Sequence, residues 1–235
     1  MALALVSFDL DGTLVDTAAE IAEAVNRTLA SFGQPARPAA EITALIGRGS
    51  HALMRAVLAG LPPAPGHPSL PAEAEVLACF DAHYGAATGQ LSAPYPGAQE
   101  ALLRLRERGV RLACVTNKEL AHARRLLQCH GLQAHFELVI GGDSLPQPKP
   151  HASVLRYVAD TLGVRREWMA HVGDSAVDVM AARNAGVRAW AVPHGYNAGR
   201  PIAEAGPDLL LPDLAAVAQA ALELTPPSLP NKAPA

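Results

Sequence analysis

The feature of this 235-residue chain that most restricts its fold is an uninterrupted alternation of helical and extended segments after residue 96. Amphipathic stretches predict helices, and short apolar runs predict strands. Such βαβ alternation predicts an α/β fold with a parallel, doubly wound sheet. The predicted helices cover 97–108, 119–130, 151–162 and 176–185, and the predicted strands cover 111–116, 137–142, 168–173 and 188–192.

One further strand is predicted near the N terminus, where LALVSF (3–8) is short, apolar and followed by a loop with Gly12. A strand this short and apolar needs burial, so we expect it to join the sheet. Residues 17–93 then form an insertion after the first strand, and we expect no strand between residues 17 and 95. The helices predicted in the insertion cover 17–32, about 50–59 and 71–88.

The sequence therefore predicts two domains and a tail. Residues 1–16 and 94–224 are assigned to the sheet domain, and residues 17–93 to a small all-helical cap domain. Residues 225–235 (TPPSLPNKAPA) are rich in proline and lack periodicity, so we expect them to be disordered.

Charge and hydropathy exclude several classes of partner. The formal net charge is −3 and no cluster of Lys or Arg stands out, which argues against nucleic acid. The apolar stretches fall short of the roughly 18 residues that a membrane-spanning helix needs. The N terminus has no basic segment before Asp9, so we expect a cytoplasmic protein. The choice between monomer and homodimer stays open.

Charged residues directly follow two of the predicted strands. Asp9 and Asp11 follow the first strand, and Asp174 follows strand 168–173. Open parallel sheets bind ligands at the carboxyl ends of their strands, so we expect these acids to converge with Thr116 and Lys149. Converging carboxylates repel one another unless a cation lies between them. Their oxygen atoms favour Mg²⁺.

A carboxylate, a hard cation, a hydroxyl and a lysine together suit a phosphoryl group. Asp9 can act as a nucleophile that forms an aspartyl-phosphate. Asp11 can protonate the leaving alcohol and later deprotonate a water molecule. An extended backbone would point residues 9 and 11 the same way, and Gly12 would let the chain turn back close to the phosphate.

The segments DLDGTLVD, VTN, PKP and GDSAVD occur in this order between residues 9 and 178 and resemble the four motifs of the haloacid dehalogenase (HAD) superfamily. The resemblance implies a Rossmann-like core in which Asp9 is the nucleophile and a Mg²⁺ ligand. Asp11 would be the general acid/base and bind the metal through its backbone carbonyl, and Asp174 would be the third ligand. The second aspartate favours phosphate esters over haloacids. The resemblance further implies phosphate binding by Thr116 and Lys149, and orientation of Lys149 or of a metal-bound water by Asp178. Backbone N–H groups near Asn117 are expected to bind the phosphate as well, and Gly12, Thr13 and Gly173 are expected to support the site.

The segment from 194 to 217, with GYN, PI and GPD, and GRGS (47–50) are similar to those of the bacterial phosphoglycolate phosphatases. After Lys149 that family usually continues with further prolines, whereas this chain continues with PHASVL. The resemblance implies a phosphoric monoester hydrolase that converts 2-phosphoglycolate, a small phosphorylated metabolite, to glycolate and phosphate. Arg48 is the residue that we expect to approach the substrate carboxylate from the cap.

Other functions are compatible with the same motifs. Sugar-phosphate and pyrophosphate hydrolases with the same class of cap are the nearest alternatives, and a sugar phosphomutase shares the nucleophile, the second acid and a helical cap. A non-catalytic binding module would keep the site but lack turnover. Asp16 is interpreted as the N-cap of the first cap helix rather than as a chemical group.

Overall fold

The computed structural model describes residues 3–61 and 71–224, which form a parallel sheet with helices on both faces and a helical insertion. The strands are β1 (Leu5–Phe8), β2 (Val15–Asp16), β3 (Ala93–Pro94), β4 (Arg111–Val115), β5 (Leu138–Ile140), β6 (Met169–Gly173), β7 (Arg188–Ala191) and β8 (Leu209–Leu210). The helices are α1 (Ala18–Ser31), α2 (Ala39–Thr43), α3 (Ser50–Ala59), α4 (Glu73–Ala87), α5 (Ala98–Glu107), α6 (Leu120–Cys129), α7 (Ala152–Thr161), α8 (Ala176–Ala185) and α9 (Leu214–Glu223).

The main sheet has six strands in the order β5-β4-β1-β6-β7-β8, and every pairing between neighbours is parallel. The N-terminal strand lies in the middle of this sheet, between β4 and β6. The chain runs outward from β1 in both directions, so the sheet has a topological switch point at β1. The predicted doubly wound α/β fold is confirmed.

Alternating side chains of the strands enter two separate apolar clusters. Val6 and Phe8 of β1 pack on one face, in a cluster with apolar residues of α5, α6 and α9. Leu5 packs on the opposite face, in a cluster with residues of α7 and α8. Because both faces are covered by helices, all four residues of β1 are buried, and its one polar side chain, Ser7, forms a hydrogen bond of 2.9 Å with His171 of the neighbouring strand β6.

The insertion has an apolar cluster of its own. Helices α1, α3 and α4 contribute Ile21, Met54 and Phe80, which are at most 3% exposed. Helix α1 packs mainly against α4 and α2, with its apolar residues on one face. This separate cluster supports the predicted cap domain, although the division of the chain into domains stays a prediction.

The structure corrects the expectation that residues 17–95 contain no strand. β3 pairs antiparallel with β2, so that Val15 lies opposite Pro94 and Asp16 opposite Ala93. This two-stranded ribbon joins the two connections between the insertion and the sheet. Two residues per strand leave no periodic pattern in the sequence, and the pairing depends on residues far apart in the chain.

Three other elements were not predicted: α2, α9 and the edge strand β8. Thr17, rather than Asp16, occupies the N-cap position of α1, although Asp16 Oδ1 accepts a hydrogen bond of 3.2 Å from the N–H of Ala18. The predicted disorder of 225–235 lies outside the described residues. Among the helices described, none combines the length and apolar character needed to cross a membrane.

Candidate active site

The candidate site lies at the carboxyl ends of the three adjacent strands β4, β1 and β6. Thr116, Asp9 and Asp174 directly follow these strands, and all three are buried. These three residues lie close together because the carboxyl ends of adjacent parallel strands share one edge of the sheet. The predicted convergence of these residues therefore occurs in the structure.

Three buried carboxylates, those of Asp9, Asp174 and Asp178, form the most concentrated charge at this edge. They offer ligand oxygens that all lie within 4.8 Å of one another. Asp178 belongs to the first turn of α8, where its carboxylate accepts hydrogen bonds from the backbone N–H and hydroxyl of Ser175 in a capping box. The start of α8 thus holds the Asp178 carboxylate beside those of Asp9 and Asp174, which follow strands.

Lys149 supplies the positive charge at the base of this cluster. Its Nζ lies 2.6 Å from Asp178 Oδ1 and 3.0 Å from Asp9 Oδ1, and it donates a hydrogen bond of 2.7 Å to the carbonyl of Val115. The sequence resemblance implied that Asp178 orients Lys149, and the observed contact agrees with that role. Asp178 Oδ1 also lies 3.2 Å from Nε2 of buried His171.

One ammonium does not neutralise three carboxylates, and the pKa values show the imbalance. Burial raises the pKa of Asp9 to about 6, against the opposing effect of Lys149. Burial, with repulsion from Asp178 and Asp9, raises the pKa of Asp174 to about 8. Burial alone would also raise the pKa of Asp178, but Lys149 and His171 outweigh it and hold that pKa below its usual range.

This cluster meets the requirements of a hard divalent cation. All of its donors are carboxylate oxygens, which Mg²⁺ prefers, and the site carries excess negative charge. Asp9 Oδ1 is buried and, among the described residues, its one polar contact is the 3.0 Å ion pair with Lys149 Nζ, so a lone pair is available to a metal. Asp9 and Asp174 would hold Mg²⁺, with Asp178 close enough to orient its hydration shell.

Two glycines allow the backbone to pack directly against the Asp174 carboxylate. A Cβ atom at Gly12 would lie 2.5 Å from Asp174 Oδ2, and one at Gly195 would lie 2.1 Å from the same atom. Gly12 also adopts a positive φ of 83°, which favours glycine. Thr13 Oγ1 donates a hydrogen bond of 2.8 Å to Asp174 Oδ1, so the predicted supporting residues Gly12 and Thr13 both contact this acid.

Gly173 is tightly packed against the other end of the cluster. A Cβ atom there would lie 2.2 Å from Cβ and Cγ of Asp178. Any side chain at this position would displace the acid that pairs with Lys149. The supporting role of Gly173 stays a prediction, and this close packing gives a steric reason for it.

The carboxylate of Asp11 lies outside the three-acid cluster and has partners of its own. Lys118 Nζ lies 2.6 and 2.7 Å from its two oxygens, and Thr17 Oγ1 donates a hydrogen bond of 2.7 Å to Oδ1. Leu10 between the two acids is fully buried, but the chain bends at this residue instead of staying extended as the sequence suggested. Asp9 and Asp11 both line the same pocket between the sheet edge and the insertion.

Asn117 connects the sheet edge to the insertion. Its Nδ2 donates hydrogen bonds to the carbonyls of Lys149 (3.0 Å) and Gly47 (3.1 Å), and its Oδ1 accepts one from the backbone N–H of Lys149. A Cβ atom at Gly49 would lie 2.6 Å from the Asn117 carbonyl oxygen. The side chain of Asn117 therefore positions Lys149 and the 47–49 loop, while Thr116 lines the pocket with Lys118.

Arg48 lies in that loop and its side chain is exposed. Gly47 and Gly49 on either side of it line the pocket, whereas Arg48 itself does not. The role that the sequence suggested for Arg48 therefore stays a prediction.

Sequence reasoning gave no role to two residues near the site. Lys118 pairs with Asp11, and Tyr196 donates its backbone N–H to Asp174 Oδ2 at 2.8 Å. The signal for Lys118 was its position directly after the VTN motif. The signal for Tyr196 was the GYN segment, which was used only as a mark of resemblance.

Comparisons with known proteins agree with this geometry. Residues 3–186 match the family described as haloacid dehalogenase-like hydrolase. The Cupriavidus necator protein named "phosphoglycolate phosphatase, plasmid" is 43% identical over 212 residues, which cover 90% of each chain. Phosphoglycolate phosphatase 1 of Pseudomonas aeruginosa is 41% identical over 210 residues, which cover 89% of this chain and 76% of that one.

A solved structure gives the same result for the fold. The crystal structure of a predicted phosphoglycolate phosphatase from Haemophilus somnus superimposes with a TM-score of 0.85 and 30% identity, covering 93% of this chain and 97% of that chain. The family expected from the four motifs is confirmed by a match over most of the chain. This chain belongs to the haloacid dehalogenase-like hydrolases.

Proposed function

We propose that this chain is a Mg²⁺-dependent phosphomonoesterase that hydrolyses 2-phosphoglycolate through an aspartyl-phosphate. The observation that carries the proposal is the pair of pocket-lining acids: Asp9, which lies beside buried Lys149, and Asp11, which follows it two residues later in the sequence. The family supports hydrolysis of small phosphate esters. The names of the relatives supply the substrate.

In the first step, a carboxylate oxygen of Asp9 bonds to the phosphorus atom and the ester P–O bond breaks. Asp11 gives its proton to the leaving oxygen, so glycolate departs with a neutral hydroxyl group rather than an alkoxide. Lys149 and Thr116 lie beside Asp9, where they can bind the phosphoryl oxygens. When bound, Mg²⁺ would supply additional positive charge that offsets the negative charge of the phosphoryl group.

In the second step, Asp11 takes a proton from a water molecule, whose oxygen bonds to phosphorus as the acyl-phosphate bond breaks. Phosphate leaves, and the carboxylate of Asp9 is restored. Asp11 thus acts as acid and then as base, which returns it to its starting state after each turnover. The cycle needs one nucleophile and one acid/base, and the sequence places them two residues apart.

The insertion restricts the size of the substrate. Ile21, Ile46 and Leu53 of the insertion line the pocket opposite Asp9 and Asp11. The 47–49 loop contacts the sheet edge through Asn117, so the pocket is covered on this side. A covered, partly apolar pocket admits a small phosphorylated metabolite and limits access of bulk water to the intermediate.

The test is kcat/KM for phosphate release with Mg²⁺ across 2-phosphoglycolate, several sugar phosphates, pyrophosphate and an aryl phosphate. Preference for 2-phosphoglycolate by more than about tenfold, or about 1.4 kcal/mol of transition-state discrimination, supports the assignment. A kcat/KM that is highest on a sugar phosphate or on pyrophosphate would support a phosphatase but reject 2-phosphoglycolate as its substrate. Absence of turnover on every ester, with Asp9→Asn as the inactive control, would reject the enzyme.

A further inference from the structure

Lys118 is the only cationic residue among the described residues that line the pocket. Its side chain is 1% exposed, and its Nζ lies within 2.7 Å of both oxygens of Asp11. The same Nζ lies 4.7 Å from the centre of the Tyr84 ring, which belongs to the insertion. The ammonium is therefore held between the acid/base of the sheet edge and an aromatic face of the insertion.

This position matches the geometry of the proposed substrate. The oxygen that leaves the phosphorus atom has to reach Asp11, because Asp11 protonates it. In 2-phosphoglycolate the carboxylate carbon is separated from that oxygen by a single methylene group. A carboxylate so close to the leaving oxygen lies within reach of the ammonium that contacts both oxygens of Asp11.

We infer that Lys118 binds the substrate carboxylate and is the residue that selects phosphorylated acids over neutral phosphate esters. An ammonium is a compact charge with three donors, so Lys118 can bind an incoming carboxylate while it loosens its hold on Asp11. This exchange leaves Asp11 free to carry the proton for the leaving oxygen. The inference rests on the proposed phosphatase function and names the part of the site that recognises the substrate.

The alternative is that Lys118 only balances the charge of Asp11. In that case removal of Lys118 would lower kcat/KM by the same factor for every substrate, because hydrolysis of every ester uses Asp11. Carboxylate recognition predicts a selective loss instead. The two roles can therefore be separated by comparing two substrates that differ in the carboxylate alone.

The experiment measures kcat/KM of the wild type, Lys118→Met and Arg55→Met on 2-phosphoglycolate and on ethyl phosphate, which carries a methyl group where the carboxylate would be. Arg55 is an exposed cation of the insertion that pairs with Glu73, so Arg55→Met is the matched control. Lys118→Gln, which keeps a hydrogen-bond donor without the charge, replaces Lys118→Met if thermal unfolding shows that the latter is not folded. Arg48→Met tests the residue suggested by the sequence.

We expect Lys118→Met to lower kcat/KM on 2-phosphoglycolate by about tenfold or more beyond its effect on ethyl phosphate, as for loss of a charge-assisted hydrogen bond. Arg55→Met should leave the ratio between the two substrates unchanged. An equal loss on both substrates in Lys118→Met would overturn the inference, as would a selective loss in Arg48→Met without one in Lys118→Met.

The wild-type ratio separates this inference from the function on which it rests. A wild type that does not favour 2-phosphoglycolate over ethyl phosphate rejects the substrate, and carboxylate recognition with it. A wild type that favours 2-phosphoglycolate, together with a Lys118→Met variant that keeps the same preference, rejects the role of Lys118 alone.

Discussion

Lys149 Nζ lies 2.6 Å from Oδ1 of Asp178, and the side chains of both residues are only 1% exposed. A buried ion pair of this kind is costly to break, because the remaining charge keeps its desolvation penalty and loses its partner. Here the ammonium also lies 3.0 Å from the proposed nucleophile Asp9. Lys149 thus both stabilises this edge of the sheet through Asp178 and contacts the proposed nucleophile Asp9.

Lys149→Met should destabilise the protein as well as inactivate it. Removing the ammonium leaves the carboxylates of Asp9 and Asp178 buried without their cation, at an expected cost of about 3 kcal/mol or more in the free energy of unfolding. The measurement is urea denaturation in EDTA. Arg156→Met, which removes an exposed cation of α7, is the control. Equal stability of Lys149→Met and the wild type would show that the pair contributes nothing.

Asp11→Asn should lower kcat by about a hundredfold or more, because the amide can neither donate the proton to the leaving oxygen nor accept one from water. The measurement is steady-state phosphate release at saturating Mg²⁺ and substrate. The same variant should keep its Mg²⁺ affinity, since the Asp11 carboxylate lies outside the three-acid cluster. A variant that only requires more Mg²⁺ and then recovers full kcat would contradict the acid/base assignment.

Mg²⁺ should stabilise the folded protein by neutralising the cluster of Asp9, Asp174 and Asp178. A free Mg²⁺ concentration a hundredfold above Kd adds about 2.7 kcal/mol, which corresponds to a rise in Tm of about 5 to 10 °C for a chain of this size. Differential scanning calorimetry with and without Mg²⁺ checks this. Asp174→Asn should lose most of the rise, and an undiminished rise in that variant would place the metal elsewhere.

Tyr196→Phe should destabilise the connection between the sheet and the insertion. The Tyr196 hydroxyl accepts hydrogen bonds from the backbone N–H groups of Thr17 (2.7 Å) and Ala18 (3.0 Å), and it donates one of 2.7 Å to Asp16 Oδ1. Loss of these contacts should lower the free energy of unfolding by about 1 to 2 kcal/mol.

Mg²⁺ affinity should not change in Tyr196→Phe, because the contact of this residue with Asp174 is made by its backbone N–H. The exposed Tyr157, changed to Phe, is the matched control for stability. Calorimetry measures the stability of the variants, and Mg²⁺ titration measures their Mg²⁺ affinity. Stability equal to that of the control would show that the hydroxyl does not hold the connection.

The position of the site could be predicted because it follows from topology. Once the alternation after residue 96 predicts a parallel sheet, the residues after β1, β4 and β6 must share one edge. Asp9, Thr116 and Asp174 were found in this way. The resemblance to a family added the contact between Lys149 and Asp178, which no local pattern indicates.

The elements and contacts that were missed depend on residues distant in sequence or on weak local patterns. Lys118 follows a strand in a polar loop, where lysine is usually exposed, but here it is buried beside Asp11 and against the Tyr84 ring of the insertion. The β2–β3 ribbon is too short for a periodic signal. Helix α9 did have a local signal, since Asp213 accepts a hydrogen bond from the backbone N–H of Ala216 at its start.

The most direct test of the account is chemical trapping of the phosphorylated enzyme. The wild type is mixed with 2-phosphoglycolate and Mg²⁺, quenched within the first turnover, and treated with borohydride, which reduces an aspartyl-phosphate to homoserine. Peptide mass spectrometry should then find homoserine at residue 9 in the wild type and unmodified asparagine there in Asp9→Asn. Homoserine at another position, or phosphate release at the wild-type rate by Asp9→Asn, would contradict the assignment of Asp9 as the nucleophile.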